Sequence, residues 1–547
     1  MACTSEISAR DDLLFIGADW TGERISPELA GSKAANLSRI AKLGLNVPPA
    51  FVLSTRLCAP VNSGAHYIKA ALGEMLCKGT KYLEQASGRK FGDARCPMFL
   101  SVRSGAARSM PGMMASLLNV GMNNETVRGL LRLTGNPRLA WDCYRRFVQG
   151  YSEVIGGADP QSFANRLADI VRAERVLNET ELDPEALERL TLEYIELAGE
   201  LLGRPIPSDP MKQLEEATYA VYGSWQSPKA REYRRLNKLE KLAGTAVTFQ
   251  AMIFGNAGGN SGAGVAFTRN PATGEKGLYA EFLFDAQGED VVSGRRLPGG
   301  ITLLKERMPE IASTLASGAA RLECEFQDMQ DIEFTVEEGQ LYLLQTRSAK
   351  RTPRAALRVL IDLVEEGVID EAEGAQRASE IDLEATADTH FHGRADAIAR
   401  GTPASAGVAS GRAVFDRDRA AARAKSGEPV ILIRPDTSTE DIAGIAVAEG
   451  ILTAIGGRTA HAAVVARQLG KVCVVGCDRL AVDGAKRFAT ICGRTIKEGD
   501  WLSLDAETGE VFLGKREIVV DRPDTVIQVV SRWMANAGLA PKTLKTR

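Results

Sequence analysis

Residues 456–467 read GGRTAHAAVVAR, and this stretch predicts a glycine turn that leads into a helix beginning near His461. The two glycines allow the backbone to turn sharply and let another molecule approach closely. Thr459 is predicted to cap the helix, which places the imidazole at its positive N-terminal end. The small apolar residues that follow are expected to pack the helix tightly behind the histidine.

An imidazole at a helix N-terminus suits a nucleophile that carries a phosphoryl group. Free backbone N–H groups and the helix dipole stabilise the anion that such a nucleophile holds. The alternative is a histidine that only caps or packs, which is the commoner role of a lone histidine. The neighbouring glycines, the threonine and the small-residue helix favour the carrier role for His461. The chain has only four histidines, at positions 66, 390, 392 and 461.

A second signal is a β-hairpin predicted over residues 331–347, with its turn at Glu338-Gly339. Because strand side chains alternate with period two, Asp331 and Glu333 share a face of the first strand. Gln345 and Arg347 share a face of the second strand. Hard oxygen ligands suit Mg²⁺ and an arginine suits phosphate, although a solvated hairpin face is the alternative.

Two cations stand beside glycine or serine, as a triphosphate site requires. Lys33 lies in AGSKAANL, residues 30–37, and Arg103 lies in LSVRSGA, residues 100–106. Taken singly each signal is weak, because most glycine-flanked lysines belong to surface turns. Neither is a Walker loop, since G-x-x-x-x-G-K-[ST] is absent from the chain.

A glycine-rich segment runs from residue 250 to residue 292. Its apolar start around Met252 is expected to line an adenine slot, and Arg269 is placed to approach phosphate. The segment continues through Glu281, which is predicted to contact the nucleotide. Structural turns between strands explain the same glycines equally well.

The composition is that of an ordinary soluble globular protein, with 44% apolar and 25% charged residues. A formal charge of −3 gives no global field to favour nucleic acid or a membrane surface. The sequence contains no run of about 18 apolar residues, so no membrane-spanning helix is predicted. The N-terminus lacks the basic region followed by an apolar region that a secretory signal has. We therefore expect a cytoplasmic protein. Nine cysteines without a C-x-x-C pair argue against a disulfide framework and a zinc site.

The chain divides by composition into four predicted segments. Residues 1–350 mix strand-like and helix-like segments, including a helix that opens at Asp183-Pro184. Residues 351–395 read as a helical connector opened by Thr352-Pro353, which we expect to act as a hinge. Residues 396–520 alternate short strands with glycine turns and predict a compact domain that moves as a unit. Residues 521–547 form a C-terminal tail with one predicted helix.

These segments, in this order, resemble the pyruvate phosphate dikinase family, with its relatives phosphoenolpyruvate synthase and rifampin phosphotransferase. The resemblance runs from about residue 29 to about residue 515. It is carried by SVRSGA (101–106), GVAFTRNPATGE (264–275), DMQDIEFT (328–335) and GGRTAHAAVVAR. It implies an α+β multidomain protein: an ATP-grasp nucleotide-binding region, a helical connector and a swivelling β/β/α phosphohistidine domain.

The resemblance also implies roles for particular residues. ATP would be cleaved to AMP, because the terminal pyrophosphoryl group passes to His461 before one phosphate leaves. Thr459 and Arg347 would assist this step. The resemblance implies that Lys33, Arg103 and Arg347 contact the ATP phosphates and that Asp331, Glu333 and Gln345 hold Mg²⁺. Met252, Glu281 and Gln345 complete the predicted nucleotide contacts.

Three positions depart from the family pattern. Ser32 stands where the family has a glycine before the lysine. Arg458-Thr459-Ala460-His461 replaces the Met-Thr-Ser-His of the dikinases and is closer to the synthase. Ala107 stands where dikinases usually carry arginine, which leaves inorganic phosphate and water both open as co-substrate.

Dikinases end in a (β/α)₈ barrel that binds pyruvate and phosphoenolpyruvate. Such a barrel takes about 250 residues, whereas about thirty residues follow the histidine domain here. We therefore expect a half-enzyme that donates its phosphoryl group to pyruvate, an alcohol or a phenol bound on a separate subunit. The alternatives are a self-sufficient small-molecule phosphotransferase and a non-catalytic regulator that senses nucleotide.

Overall fold

The computed structural model describes residues 12–17, 25–108, 110, 113–293, 299–437, 441–458, 460–477 and 479–540. The chain divides into two compact units. The first comprises residues 1–259 with 342–346, and the second comprises residues 260–341 with 347–547. Within the described residues, no helix has both the length and the apolar character needed to cross a membrane.

The first unit combines one antiparallel sheet with a set of helices. Its strands are β1 Leu13–Ile16, β2 Ala50–Leu53, β3 Lys90–Phe91, β4 Pro97–Met98, β5 Leu100–Gly105, β6 Ser116–Val120 and β7 Ala246–Ala251. Its helices are α1 Pro27–Lys42, α2 Cys58–Asn62, α3 Ile68–Ser87, α4 Thr126–Thr134, α5 Pro137–Gly156, α6 Pro160–Ala173, α7 Pro184–Leu202, α8 Pro210–Ser224 and α9 Pro228–Leu236. The five-stranded sheet has the order β1-β2-β7-β5-β6, and β3 pairs separately with β4.

Helix starts in this unit follow local sequence signals. The side chain of Asp183 accepts a hydrogen bond from the N–H of Ala186 at 2.7 Å, and Pro184 occupies the first turn of α7. This arrangement satisfies an N–H group that has no partner within the helix. Leu187 and Leu190 are buried on the inner face, so the helix predicted at this position is confirmed.

The second unit contains two larger sheets. Its strands are β8 Gly262–Arg269, β9 Lys276–Phe284, β10 Gly299–Gly300, β11 Gln330–Glu337, β12 Gln340–Ser348, β13 Asp388–Phe391, β14 Ala399–Arg400, β15 Thr402–Pro403, β16 Val408–Val414, β17 Val430–Arg434, β18 Gly450–Thr453, β19 Val472–Val475, β20 Leu480–Asp483, β21 Phe488–Ile491, β22 Arg494–Lys497, β23 Trp501–Asp505, β24 Glu510–Leu513 and β25 Ile518–Asp521. Its helices are α10 Gly288–Ser293, α11 Ile301–Arg307, α12 Pro309–Phe326, α13 Pro353–Glu365, α14 Glu371–Ala378, α15 Arg417–Lys425, α16 Ile442–Val447, α17 His461–Leu469 and α18 Asp524–Asn536.

One sheet of this unit has the order β10-β9-β8-β11-β12, and we call it the acidic sheet for the carboxylates described below. Two glycines of β8 make room for aromatic rings, because a Cβ at Gly262 would lie 2.2 Å from Phe282 and one at Gly264 would lie 2.5 Å from Phe334. The rings of Phe282 and Phe334 stack with centroids 5.7 Å apart. These glycines therefore serve packing within a strand.

The predicted connector helices are part of a packed core. Thr352 caps α13 by accepting from the N–H of Ala355 at 3.1 Å. Helices α13, α14 and α18 bury apolar side chains together with residues of β8 and β9 in a single cluster. Trp533 of α18 is one of its largest members. A helix in the C-terminal segment and two helices in the connector were predicted, and all three are confirmed.

A two-stranded antiparallel ribbon links this core to the next domain. Strand β13 leads into that domain and β25 leads out of it, with Asp388 opposite Asp521 and Phe391 opposite Ile518. The chain thus enters and leaves by neighbouring strands.

The histidine domain, residues 399–513, is built on an eight-stranded sheet of order β14-β24-β23-β16-β17-β18-β19-β15. Strands β16, β17, β18 and β19 are parallel, and the outer strands are antiparallel. Helices α15, α16 and α17 connect the parallel strands in turn. His461 therefore starts the helix that follows the carboxyl end of β18, where open α/β sheets usually bind ligands. The predicted mixed α and β multidomain architecture is confirmed.

Candidate functional site

The structure brings the Lys33 and Arg103 segments together within the first unit. Lys33 lies on α1 and Arg103 on β5, and both side chains are half-buried. Gly31 interrupts α1 with φ 77° and ψ 158°. A Cβ at this position would lie 2.2 Å from the carbonyl oxygen of Gly105, so the kink is in direct contact with β5. Glycine is required here both for its dihedral angle and for the close approach.

The neighbouring position tolerates serine. The N–H of Ser32 donates to the carbonyl oxygen of Ala106 at 2.9 Å, and its hydroxyl donates to the same oxygen at 3.2 Å. The positive φ falls on Gly31 and not on Ser32. The departure from the family pattern at residue 32 therefore adds a hydrogen bond between the two cation-bearing segments without backbone strain.

A polar row lies beside Arg103 on the neighbouring strand. Arg103 is the register partner of Thr248, and Ser101 is the register partner of Gln250. Thr248 Oγ1 and Gln250 Nε2 are buried and have no hydrogen-bond partner among the described residues. Buried polar atoms are almost always paired, so this row suits a polar ligand.

Sequence reasoning named Met252 in this region and missed the two residues before it on the same face. Side chains at 248, 250 and 252 alternate along one extended segment, so all three share one side. Met252 follows β7 directly and is half-buried against the core of the first unit. The same alternation that was applied to residues 331 and 333 could have identified Thr248 and Gln250.

The predicted hairpin is confirmed as β11 and β12. Its turn, Glu338-Gly339, has φ angles of 49° and 79°, as expected for a two-residue turn that matches strand twist. Arg347 donates to Asp331 Oδ2 through Nε and through Nη2, at 2.8 Å in each case. The side chains of Asp331 and Arg347 therefore meet on one face of the hairpin.

Three carboxylates share a face of the acidic sheet. Glu333 is opposite Val265, which is opposite Glu281, and Asp331 is opposite Phe267. Register partners in an antiparallel sheet project to the same side, and so do residues two apart along a strand. Glu281 and Glu333 are separated by two strand spacings, about 10 Å. This face concentrates negative charge beside Arg347.

Asp331 has the character of a ligand for a cation. It is buried, and burial raises the pKa of its carboxyl above the usual value, although the charge of Arg347 opposes the shift. Its Oδ1 atom has no hydrogen-bond partner among the described residues. Mg²⁺ is commonly held by one or two carboxylates together with substrate phosphates, so Asp331 and Glu333 fit that ion. No group of three acidic, histidine or cysteine side chains within the described ranges comes close enough to hold a metal unaided.

The helix that carries the histidine begins one residue later than the predicted cap requires. Helix α17 starts at His461, and its N-cap position is Ala460, which makes no side-chain cap hydrogen bond. Ala460 therefore occupies the N-cap position that was predicted for Thr459. Thr459 itself and the side chain of His461 lie outside the described part of the structure. Ala462 and Ala463 are buried behind the helix start, as predicted.

The loop before His461 packs on the carboxylate face of the acidic sheet. The backbone N–H of Arg458 donates to Glu281 Oε1 at 2.8 Å. The guanidinium of Arg458 lies 5.1 Å from the ring centroid of Tyr279, which is two residues from Glu281 on β9. In this structure Glu281, predicted as a nucleotide contact, thus binds the histidine loop.

Arg269 does not fulfil the expectation that it approaches phosphate. Its side chain is fully buried and forms ion pairs with Glu323 at 2.8 Å, Asp362 at 2.7 Å and Glu366 at 3.3 Å. A buried arginine already surrounded by carboxylates has no capacity left for an anion. Arg269 instead joins β8 to α12 and α13.

The predicted site residues fall on both units of the chain. Those in the first unit are Lys33, Arg103, Met252 and Gln345, and those in the second are Glu281, Asp331, Glu333, Arg347 and His461. Gln345 is buried and lies within residues 342–346 of β12, which belong to the first unit.

Two family models match this chain. The model described as the AMP/ATP-binding domain of pyruvate phosphate dikinase matches residues 65–313 and 302–366. The model described as the mobile domain of PEP-utilising enzymes matches residues 426–509. The predicted order of an ATP-binding region and a mobile domain is therefore confirmed.

Similar curated proteins carry related names. The chain is 42% identical over 501 residues to pyruvate, phosphate dikinase 2 of Zea mays, covering 91% of this chain and 57% of that protein. It is 42% identical over 539 residues to the chloroplastic pyruvate, phosphate dikinase 1 of Arabidopsis thaliana, covering 96% and 56%. It is 43% identical over 495 residues to pyruvate, phosphate dikinase of Clostridium symbiosum, covering 89% and 56%. The chain spans about half the length of these relatives.

Proposed function

The chain belongs to the pyruvate phosphate dikinase family, and on that premise we propose that it uses ATP to phosphorylate His461 and then donates the phosphoryl group to a separate acceptor. A nitrogen of the imidazole forms a bond to the β-phosphorus of ATP, and the bond between that phosphorus and the α–β bridging oxygen breaks. AMP leaves with the bridging oxygen. The γ-phosphoryl group then passes to inorganic phosphate or to water, and phosphohistidine remains.

One observation carries this proposal: the histidine loop packs on the sheet face that bears Asp331, Glu333 and Arg347. The hydrogen bond from the Arg458 N–H to Glu281, at 2.8 Å, fixes the loop three residues before His461. Phosphoryl transfer depends mainly on position and on charge stabilisation, so a nucleophile brought to a face rich in Mg²⁺ ligands and arginine is the arrangement the reaction needs.

Each side chain has a proposed task. Lys33, Arg103 and Arg347 neutralise the phosphate oxygens, and Met252 lines the adenine slot beside the polar atoms of Thr248 and Gln250. Asp331, Glu333 and Gln345 hold Mg²⁺, which supplies charge neutralisation across the phosphates when it is bound.

The acceptor needs a position of its own. Because α17 begins against the acidic sheet when the histidine takes its phosphoryl group from ATP, the histidine domain must leave that face to meet an acceptor. We propose that the acceptor is pyruvate, an alcohol or a phenol and that it binds on a separate subunit.

Isotope position tests the first half of the reaction. We expect the chain with Mg²⁺ and β-³²P-labelled ATP to release AMP and to acquire acid-labile, base-stable label, whereas γ-³²P is released from the protein. His461→Ala should bind nucleotide and take up no stable label. His66→Ala, at an exposed histidine of the first unit, is the matched control. Formation of ADP, or full labelling of His461→Ala, would overturn the proposal.

The second half is tested with the phosphorylated chain. We expect pyruvate, alcohols and phenols to remove the label only when the acceptor-binding subunit is added. Removal by a small acceptor with the purified chain alone would establish the self-sufficient alternative in its place.

A further inference from the structure

Two arginines of the histidine domain lie over two aromatic rings of the acidic sheet. The Arg458 guanidinium is 5.1 Å from the centroid of Tyr279, and the Arg467 guanidinium is 5.7 Å from the centroid of Phe267. Phe267 and Tyr279 are register partners on β8 and β9, with centroids 6.4 Å apart. Guanidinium groups within about 6 Å of a ring centroid are attracted by the ring's electron density.

Arg467 is unusual for a buried arginine. Its side chain is 1% exposed, and Nη1 donates to the carbonyl oxygen of Ala404 at 2.7 Å. Nε and Nη2 have no hydrogen-bond partner among the described residues. Burial lowers the pKa of its guanidinium, and the negative charges of Glu281 and Asp331 oppose that shift.

The unpaired nitrogens of Arg467 bear on whether its contact with the acidic sheet is permanent or reversible. A buried charge without hydrogen-bonded partners is costly, and a permanent interface normally pairs it. In the clamp proposed below, separation of the histidine domain from the acidic sheet lets water reach Nε and Nη2 and restores their hydrogen bonds. On that account the cost of burying these two nitrogens is incurred while the domain is docked, which keeps the docked and separated states close in free energy.

We propose that Arg458 and Arg467, with Tyr279 and Phe267, form a reversible clamp that positions the helix of His461 on the acidic sheet for phosphorylation and then releases it. The proposal rests on the proposed function. Arg467 acts as a positioning residue, because it lies on α17 six residues beyond His461 and orients the helix through Phe267.

The chain contains a matched control for Arg467. Arg412, also in the histidine domain, donates to the carbonyl oxygen of Gly499 at 2.9 Å, and its guanidinium lies 4.7 Å from the ring centroid of Trp501. Arg412 therefore has the same two kinds of contact, but both are made inside its own domain.

Single-turnover kinetics test the clamp. At saturating ATP we expect Arg467→Met and Phe267→Leu each to slow phosphorylation of His461 about tenfold, equivalent to about 1.4 kcal/mol. Nucleotide affinity should not change, and Arg412→Met should react at the wild-type rate. The double variant should be no slower than either single variant, because both remove the same contact. Phe267→Leu leaves the bond from Arg467 to Ala404 intact, so it separates docking from the stability of the histidine domain.

Hydrogen exchange gives a readout that does not depend on catalysis. The Arg458 amide is bonded to Glu281 across the docked contact, whereas amides of the β16–β23 ladder are bonded within the histidine domain. Without nucleotide, Arg467→Met and Phe267→Leu should speed exchange of the peptide containing Arg458 and leave the ladder peptides protected.

Three outcomes would overturn the clamp: wild-type phosphorylation rates in both variants, an equal loss in Arg412→Met, or unchanged protection of the Arg458 amide. If the wild-type chain forms no phosphohistidine at all, the proposed function fails, and the exchange experiment still decides the clamp by itself.

Discussion

At the scale of single residues, burial and the charge of Arg347 have opposite effects on the pKa of Asp331. Burial raises the pKa of its carboxyl, so the fold favours the uncharged form more than an exposed site does. Because burial disfavours the charged carboxylate, a bound cation would stabilise it. Replacing Asp331 with the isosteric asparagine should therefore reduce the stability of the fold only slightly.

We expect Asp331→Asn to change the unfolding free energy by less than about 1 kcal/mol and to slow phosphorylation of His461 by at least about a hundredfold, since a Mg²⁺ ligand is lost. Thermal melting and labelling with ³²P measure the two effects. Asp169→Asn, which removes a single exposed Asp–Arg pair at 3.2 Å, should change neither. A large loss of stability with normal labelling would assign Asp331 a structural role instead.

At Thr248, too, an effect on nucleotide affinity can be distinguished from an effect on the stability of the fold. Its buried hydroxyl lacks a partner, so Thr248→Val should leave the melting temperature unchanged or raise it. Nucleotide affinity should fall about fivefold to thirtyfold, as for the loss of one or two kcal/mol. Thr218→Val is the counterpart, because its hydroxyl donates to the carbonyl oxygen of Leu214 at 2.7 Å. This control should lower stability and leave nucleotide affinity alone, and equal behaviour of the two variants would contradict the assignment.

At the scale of elements, the kink in α1 depends on Gly31. Gly31→Ala would bring a Cβ to 2.2 Å from the oxygen of Gly105 at a φ of 77°. We expect the Lys33 segment to move away from β5 and nucleotide affinity to fall at least about tenfold. Gly73→Ala, in open space on α3, should bind nucleotide normally. Calorimetric titration measures both, and equal affinities would show that the kink does not position Lys33.

The helices and strands that could be predicted from the sequence are those determined by residues close together in the chain. Alternation and the Glu338-Gly339 turn predicted the β11–β12 hairpin, and the caps at Asp183 and Thr352 predicted two helix starts. Each of these depends on residues a few positions apart. The N-cap position of α17 lies one residue after the predicted Thr459, because helix boundaries are the least determined part of a local pattern.

Contacts between distant segments could not be predicted from local patterns. Arg269 pairs with carboxylates up to 97 positions away, so its sequence neighbours give no sign that it is occupied. The packing of α18 against α13 and α14, and of Arg458 against Tyr279, likewise joins segments far apart in sequence. In the candidate site, local patterns therefore nominated individual residues but did not predict which residues they contact.

At the scale of the whole molecule, the histidine domain should need freedom to move. Arg354 at the start of α13 lies 3.3 Å from Glu507 of the histidine domain, so these positions can be joined across the docked contact. In a chain with Cys3, Cys77, Cys324 and Cys492 changed to serine, a reducible bismaleimide linking Arg354→Cys to Glu507→Cys should preserve labelling of His461 by ATP. It should block transfer to the acceptor until it is reduced.

The single-cysteine variants treated with the same reagent control for chemical modification. Transfer at the normal rate by the linked chain would show that the histidine reaches its acceptor without domain movement. Loss of labelling that reduction restores would place the productive arrangement elsewhere.

The ribbon of β13 and β25 has a consequence for modularity. Since Asp388 faces Asp521 and Phe391 faces Ile518, the two ends of the inserted segment meet side by side. A segment whose ends meet can be excised, exchanged or circularly permuted with a short turn closing the gap, and the host core of α13, α14 and α18 keeps both of its own ends. The histidine domain is therefore an inserted domain that is connected to the rest of the chain through the β13–β25 ribbon. A foreign domain with adjacent termini could be inserted between the same two strands.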